Sequence, residues 1–180
     1  MGTRLVGASP GLTLFDDAAR RVAFVSVWRV DWSARGSGRA LVLWMGGRAR
    51  VVTEKPELGL WLASEFVRHF PEMHGVVWPE PEVTTAPVSW EIDLATGFHA
   101  EADDERVEIT DPMDHRVVTT DDFALGELVS RFSTVYVPCR SGRLTIGGEA
   151  VVGLPRVSTN PRATSSAFLA EAEVWSDTSG

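Results

Sequence analysis

The strongest constraint on the fold is a regular alternation of apolar and polar residues over residues 88–101. The apolar positions are Val88, Trp90, Ile92, Leu94, Phe98 and Ala100, and the polar positions opposite are Ser89, Glu91, Asp93, His99 and Glu101. A period of two is typical of strands with one buried and one wetted face, which antiparallel sheets provide. Gly97 inside the segment indicates a bend or bulge. We therefore expect an antiparallel sheet.

The same alternation recurs earlier, in residues 22–32. Six positions share one face, which the pattern makes the inner face of a half-buried strand: Val22, Phe24, Ser26, Trp28, Val30 and Trp32. A glycine-containing turn at residues 35–38 leads into an apolar run at 40–45, and Gly46 and Gly47 turn the chain again into residues 48–53. Glycine turns between such runs predict hairpins.

Two segments have helical signals instead. Pro56 stands where a first helical turn begins, and apolar residues recur at helical spacing up to Phe70, before Pro71. Thr120 followed by Asp121 and Asp122 has the composition of a capped helix start, with apolar residues after it up to residue 132. These patterns predict two short helices.

The remaining segments predict further strands at residues 105–110, 132–137, 143–152 and 167–175, with a hairpin turn at residues 140–142 and a polar loop at 158–166. The expected fold is mainly β: an antiparallel, closed or nearly closed barrel of about 8–10 strands with two short helices. We expect one β-barrel domain over residues 1–180, with a frayed tail at residues 177–180.

Charge and composition exclude several classes of function. The chain has 180 residues and a formal net charge of −8, which repels nucleic acid. Neither an apolar run long enough for a membrane span nor a signal peptide is recognisable, so a cytoplasmic location is expected. Arginine is the basic residue almost throughout, with Lys55 the only lysine, which favours a GC-rich bacterial origin.

No strong catalytic or metal-binding motif is present. The sequence lacks CxxC, HExxH, Walker and GxSxG motifs, and its four histidines and single cysteine are scattered, so no metal site is predicted. Cys139 is better explained as a small buried side chain than as a nucleophile. The polar face with Glu91, Asp93, His99 and Glu101 is better explained as a solvated face than as an acid–base cluster.

The aromatic content is the unusual feature: seven Trp and eight Phe against one Tyr. A barrel of about eight strands has room for packed side chains or for one small ligand. Core filling and pocket lining are equally favoured for these rings. The residues predicted to line a cavity are Trp28, Trp32, Trp44, Trp90, Phe98, Tyr136 and Phe168.

In architecture the predicted barrel resembles the lipocalin-like (calycin) barrels, although their Gly-x-Trp motif is not found at a matching place. The resemblance implies binding of a hydrophobic small molecule inside the barrel. Small bacterial barrels of this kind include carriers and cofactor-independent cyclases or isomerases of natural-product biosynthesis, which act by holding a flexible substrate in a reactive conformation. The hypothesis needs no cofactor, and it leaves the catalytic residues unknown.

Two alternatives stay open. A flavin-binding split-barrel oxidoreductase would need a phosphate site, for which the candidates are Arg48, Arg50, Arg140 and Arg143. A non-catalytic interaction module, such as a homodimer, would need an exposed apolar patch, with Trp61 or Trp78 as its anchor.

Overall fold

The structure is a computed structural model that describes residues 2–178. This part of the chain contains fifteen strands and one α-helix. The strands are β1 (Thr3–Ala8), β2 (Gly11–Phe15), β3 (Arg21–Ser33), β4 (Gly38–Met45), β5 (Arg48–Thr53), β6 (Glu82–Thr85), β7 (Val88–Asp93), β8 (Gly97–Ala102), β9 (Glu105–Pro112), β10 (Arg116–Leu125), β11 (Leu128–Ile146), β12 (Glu149–Ala150), β13 (Val157–Ser158), β14 (Thr164–Ser165) and β15 (Ala167–Asp177). The helix is α1 (Pro56–Glu65), which is followed by 3₁₀ turns at Val67–His69 and Pro71–Met73.

Thirteen of these strands form one sheet in the order β6-β5-β4-β3-β1-β15-β11-β9-β8-β7. Strand β2 continues the line of β1 and also lies between β3 and β15, so these four strands form a ring of hydrogen bonds. Strands β10 and β12 pair with β11. The ladders are antiparallel except for the parallel pair β5–β6. The mainly β, antiparallel and nearly closed barrel predicted from the sequence is confirmed, with more strands in the sheet than expected.

Packed side chains fill the barrel interior. Its buried residues come from eight strands and the start of β7: Leu12, Leu14, Ala23, Val25, Val27, Leu41, Leu43, Val52, Val88, Phe98, Ala100, Ala102, Val107, Ile109, Val137, Cys139, Leu144, Ala167 and Leu169. These residues alternate with outward-facing ones along each strand, as a barrel requires. The interior is therefore a hydrophobic core.

The barrel closes unevenly between β4–β5 and β7–β9, where side chains replace a strand ladder. Arg39 Nη1 donates to the carbonyl of Val88 at 3.2 Å. Arg50 on β5 binds Asp103, Asp104 and Glu105 at the β8–β9 turn. This charged clamp ties the two ends of the sheet together.

A second core covers the outer face of the barrel, and we call it the outer cluster. Its buried residues are Leu5, Phe24, Trp28, Val30, Ala40, Val42, Val51, Leu58, Leu62, Ala63, Phe66, Val67, Phe70, Met73, Leu125 and Trp175. Helix α1 packs here against β4 and β5, so the central part of β3 is buried on both faces. The sequence predicted a half-buried β3 with Trp28 facing the inside; instead, Trp28 faces the helix, and Val25 and Val27 face the barrel interior.

The second predicted helix, at residues 120–132, is wrong. This segment forms the hairpin of β10 and β11, which turns at Gly126 with a φ of 66°. The β-branched run from Val117 to Thr120 favours a strand, and strand pairing brings Phe123 and Leu125 onto the outer cluster. This gain outweighs the local capping signal of Thr120.

The hairpin turn predicted at residues 140–142 is also wrong, because β11 runs continuously through it and exchanges β10 and β15 for β9 along its length. Gly142 serves for close packing, since a Cβ there would lie 2.4 Å from Leu12 Cδ1. The faces predicted for residues 88–101 are confirmed, and the Gly97 region is a hairpin between β7 and β8.

At the carboxyl end, the predicted frayed tail covers residues 177–180. Asp177 is the last residue of β15, and its amide donates to the Gly2 carbonyl at 2.9 Å. Residues 179 and 180 lie outside the described residues. Within residues 2–178, every helix is too short or too polar to cross a lipid bilayer.

Candidate functional site

A cavity of about 220 Å³ lies on the outer side of the barrel, and we call it the aromatic pocket. Its floor is formed by β3, β15 and Ser9, and its walls by β10, β11 and the segment 70–72 that follows the helix. The walls are mostly aromatic and include Phe70, Phe123 and Tyr136. The pocket borders the outer cluster and not the barrel interior.

The floor of the aromatic pocket holds a buried carboxyl group, that of Glu173, which is 1% exposed. Trp175 Nε1 donates to Glu173 Oε1 at 2.6 Å. Ser9 Oγ lies 2.8 Å from Oε2 and 3.0 Å from Oε1, and it donates to this carboxyl group. Two neutral donors therefore fix the orientation of Glu173.

Burial raises the pKa of Glu173 to about 7. The hydrogen bonds from Trp175 and Ser9 oppose this rise, and the nearby charge of Glu171 adds to it. Burial also raises the pKa of the second carboxyl group in the lining, that of the half-buried Glu72. A carboxyl group with a pKa near 7 can accept or release a proton at neutral pH, which is the property of a general acid–base group.

A β-bulge in β15 explains why Glu173 faces the pocket. Ser133 pairs with Val174 and Val135 pairs with Glu171, so β15 has one extra residue between these pairs. Ala172 sits in the bulge with a φ of 50°. An extra residue reverses which side chains face each side of the sheet. Phe168 and Ala170 before the bulge and Glu173 and Trp175 after it consequently line one pocket.

Trp175 is the centre of the aromatic wall. Its ring centroid lies 4.2 Å from that of Phe132, 5.0 Å from Phe123, 5.3 Å from Phe66 and 6.0 Å from Phe70. The contacts with Phe66 and Phe123 are edge-to-face, a geometry that the ring quadrupoles favour. This packing holds the indole rigidly, so its N–H group keeps a fixed direction towards Glu173.

Of the seven residues predicted to line a cavity, Tyr136 and Phe168 lie together in the aromatic pocket, with ring centroids 5.7 Å apart. The Tyr136 hydroxyl accepts from the Ser165 amide at 3.1 Å and lies 3.3 Å from its carbonyl. Trp44 and Phe168 line an adjoining cleft of about 560 Å³, where Arg20 and Arg21 also lie.

The other four predicted residues line neither the aromatic pocket nor the adjoining cleft. Trp28 is buried in the outer cluster, and Phe98 is buried in the barrel interior with Trp90 packed against it. Trp32 is 51% exposed, because β3 has an extra residue at Asp31 that turns Trp32 away from the face shared by Trp28 and Val30. The indole N–H groups of Trp28, Trp44 and Trp90 are buried without a hydrogen-bond partner among residues 2–178.

Sequence reasoning missed Ser9, Glu173 and Trp175 as site residues. One signal was available in the last strand. Every second residue from Leu169 to Trp175 belongs to the same face of a regular strand, and this otherwise apolar face contains Glu171 and Glu173. Ser9 gave no such signal, because it lies in a Ser-Pro-Gly stretch that has the composition of a turn.

The other chemical candidates lie in positions that explain them structurally. Glu91, Asp93 and Glu101 are exposed and His99 is partly exposed, as expected for a solvated face. Cys139 is buried, and burial raises the pKa of its thiol to about 12, so the reactive thiolate is strongly disfavoured.

One group of carboxylates in the described part of the chain is close enough to share a cation: Asp103, Asp104 and Glu105, whose oxygens lie within 4.8 Å of one another. The Arg50 guanidinium already binds all three. The group therefore acts as an ion-pair clamp between β5 and the β8–β9 turn. Arg50, one of the four arginines considered for phosphate binding, is therefore already bound to carboxylates.

The anchors considered for a dimer, Trp61 and Trp78, are both partly buried and pack against the outer cluster.

Comparison with known proteins found no match among protein families, curated sequences or solved structures. The case for function consequently rests on the geometry of the site.

Proposed function

We propose that this protein binds a small molecule with a predominantly apolar surface in the aromatic pocket. The observation that carries the proposal is the buried carboxyl group of Glu173, oriented by Trp175 and Ser9 in a cavity with aromatic walls. A mostly apolar cavity with a few convergent polar groups and a perturbed pKa is the usual form of a ligand site.

The cavity volume limits the size of the ligand. A dry cavity of about 150 Å³ is large enough to bind benzene. At about 220 Å³, the aromatic pocket suits a molecule with one substituted ring or a branched chain of similar size. Larger molecules could extend over the rim into the adjoining cleft, which shares Pro71, Glu72, Ser165 and Phe168 with the pocket.

This location differs from the one that the barrel resemblance implied. The barrel interior is occupied by its own side chains, including Val27, Phe98 and Leu169. A ligand there would have to displace a packed core, at a cost of several kcal/mol. The outer pocket needs no such rearrangement, which favours it as the binding site.

A catalytic role follows from the same site as a second part of the proposal. Glu173 could move a proton on a bound substrate, as a cofactor-independent isomerase or cyclase requires. The aromatic walls would hold the substrate in the reactive conformation and exclude water. The catalytic residue in this proposal is Glu173, with Ser9 and Trp175 as positioning residues.

No observation favours the flavin or dimer alternatives in the same way. For the dimer, the most exposed tryptophan of the described chain is Trp32, and not the suggested anchors Trp61 or Trp78. A cytoplasmic location and a bacterial origin stay predictions.

The test uses tert-butylbenzene as the neutral probe and two matched variants on β10. Val118 lines the pocket, whereas its neighbour Val117 faces away and is 69% exposed. Val118→Trp should fill the pocket and weaken probe binding at least about tenfold, because the indole occupies the ligand volume. Val117→Trp should bind as the wild type does. Ligand-observed NMR titration measures the dissociation constants.

Equal affinity in the two variants would mean that the probe binds elsewhere, and the proposal would be wrong. Absence of binding to the wild type, both of this probe up to its solubility limit and of its charged isostere phenyltrimethylammonium, would contradict it as well. Far-UV circular dichroism of both variants checks that they have folded.

A further inference from the structure

The lining of the aromatic pocket has an unbalanced charge. It includes the carboxyl groups of Glu72 and Glu173, and within residues 2–178 no arginine, lysine or histidine side chain lines it. Glu173 is nearly inaccessible, and both of its hydrogen-bond donors, Ser9 and Trp175, are neutral. When Glu173 is ionised, its negative charge has no positive partner inside the pocket.

The arginines near the rim of the pocket interact with groups other than Glu173. Arg116 lies outside the pocket over the Tyr136 ring, 4.9 Å from its centroid, and its Nη1 donates to Asp114 at 2.6 Å. Arg21 lines the adjoining cleft and donates to the backbone carbonyls of Glu72 and His74. On β15 itself, Glu171 binds Arg29, whereas Glu173 lies beyond the bulge and binds Ser9 and Trp175.

Besides a carboxyl group, the pocket has aromatic walls, which also favour the binding of a cation. Glu173 shares the lining of the pocket with aromatic residues that include Phe70, Phe123, Phe132, Tyr136, Phe168 and Trp175. Aromatic rings attract organic cations through their quadrupoles, most strongly where water is excluded. Aromatic rings beside a carboxylate therefore suit an ammonium group that carries apolar substituents.

We propose that the ligand of the aromatic pocket is an organic ammonium compound, whose cationic head lies against Glu173 and the rings around Trp175. This inference rests on the proposed function of the pocket and narrows its ligand to a charged class. The apolar part of the molecule fills the remaining space along Phe168 and Tyr136.

The experiment compares two probes of nearly identical shape, phenyltrimethylammonium and tert-butylbenzene, which differ in the replacement of a carbon by a charged nitrogen. Their dissociation constants are measured by ligand-observed NMR at pH 8.5, where Glu173 is mostly ionised because its pKa is about 7. The proteins are the wild type, Glu173→Gln, and the control Glu171→Gln, whose side chain lies on the same strand before the bulge and pairs with Arg29.

The wild type should bind the cation more tightly than the neutral probe. Glu173→Gln should reduce this preference by about tenfold or more, the loss expected for one ion contact in a desolvated site. Glu171→Gln should leave the preference unchanged. Glutamine is close in shape to glutamate and can keep the hydrogen bonds of the site, so folding should be preserved.

Equal or tighter binding of the neutral probe by the wild type would overturn the inference while leaving the proposed pocket intact. A preference that survives Glu173→Gln would also overturn it. If the wild type binds neither probe, the proposed function fails together with the inference.

Discussion

At the scale of single residues, the site depends on the Glu173 carboxyl group, which is buried in a pocket that no basic side chain of the described residues lines. Moving a charge from water into an apolar environment is costly, so the neutral form of Glu173 is favoured in the folded protein. Trp175 and Ser9 recover part of this cost through hydrogen bonds. Glu173 thus lowers the stability of the fold when it is ionised, as is common for groups retained for function.

This cost predicts how stability depends on pH. The pKa of Glu173 is about 7 in the folded state against an ordinary value of 4.5, so the folded state binds more protons between these values. The stability contributed by protonated Glu173 is therefore present below pH 4.5 and is lost as pH rises to 7. Glu173→Gln mimics the neutral form and should gain about 3 kcal/mol relative to the wild type between pH 4.5 and pH 8.

Urea unfolding of both proteins across this pH range measures the difference. Other titrating groups contribute equally to the two proteins and cancel in the comparison. A difference that does not change with pH would show that Glu173 has an ordinary pKa.

At the scale of secondary structure, two β-bulges decide which side chains reach the site. The bulge at Ala172 places Glu173 and Trp175 on the same face as Ala170, and the bulge at Asp31 turns Trp32 to solvent. Alternation in the sequence groups residues on one face of a strand correctly up to a bulge and incorrectly beyond it. This is why the faces over residues 88–101 were predictable, whereas the positions of Trp32 and Glu173 were not.

The bulge at Ala172 gives a second prediction. Its φ of 50° disfavours a residue with a Cβ, and its side chain is exposed, so substitutions there act through the backbone. Ala172→Gly should stabilise the protein by about 0.5–1 kcal/mol, and Ala172→Val should destabilise it by about 1–2 kcal/mol. Thermal and urea unfolding measure both effects.

Ala124, an exposed residue of β10 outside the left-handed region, is the control. Ala124→Gly should destabilise the protein by about 0.5–1 kcal/mol, as glycine does in an ordinary strand. If glycine is equally unfavourable at 172 and 124, the bulge does not have the described backbone.

At the scale of the whole molecule, the chain has two cores on opposite sides of one sheet. The sequence predicted the barrel, because alternating strands and glycine turns are local signals. It could not predict that the helix from Pro56 covers the outer face, since that depends on contacts between distant segments such as Phe66 and Trp175. Trp28 belongs to this second core and not to the barrel interior, and the aromatic pocket lies at the edge of the second core.

In the proposed function, the ligand binds in this outer pocket and not inside the barrel. Trp175 lies in the pocket, and its indole N–H donates to Glu173. Trp90 packs against the barrel interior, beside Phe98. The two indole N–H resonances therefore report on the two locations separately, and Trp175→Phe and Trp90→Phe variants assign them.

The most direct measurement is a nitrogen–proton correlation spectrum of the wild type during titration with phenyltrimethylammonium or tert-butylbenzene. We expect the indole resonance of Trp175 to shift with increasing probe, and that of Trp90 to stay unchanged. A shift of the Trp90 resonance without a shift of the Trp175 resonance would place the ligand inside the barrel, and the proposed binding site would be wrong.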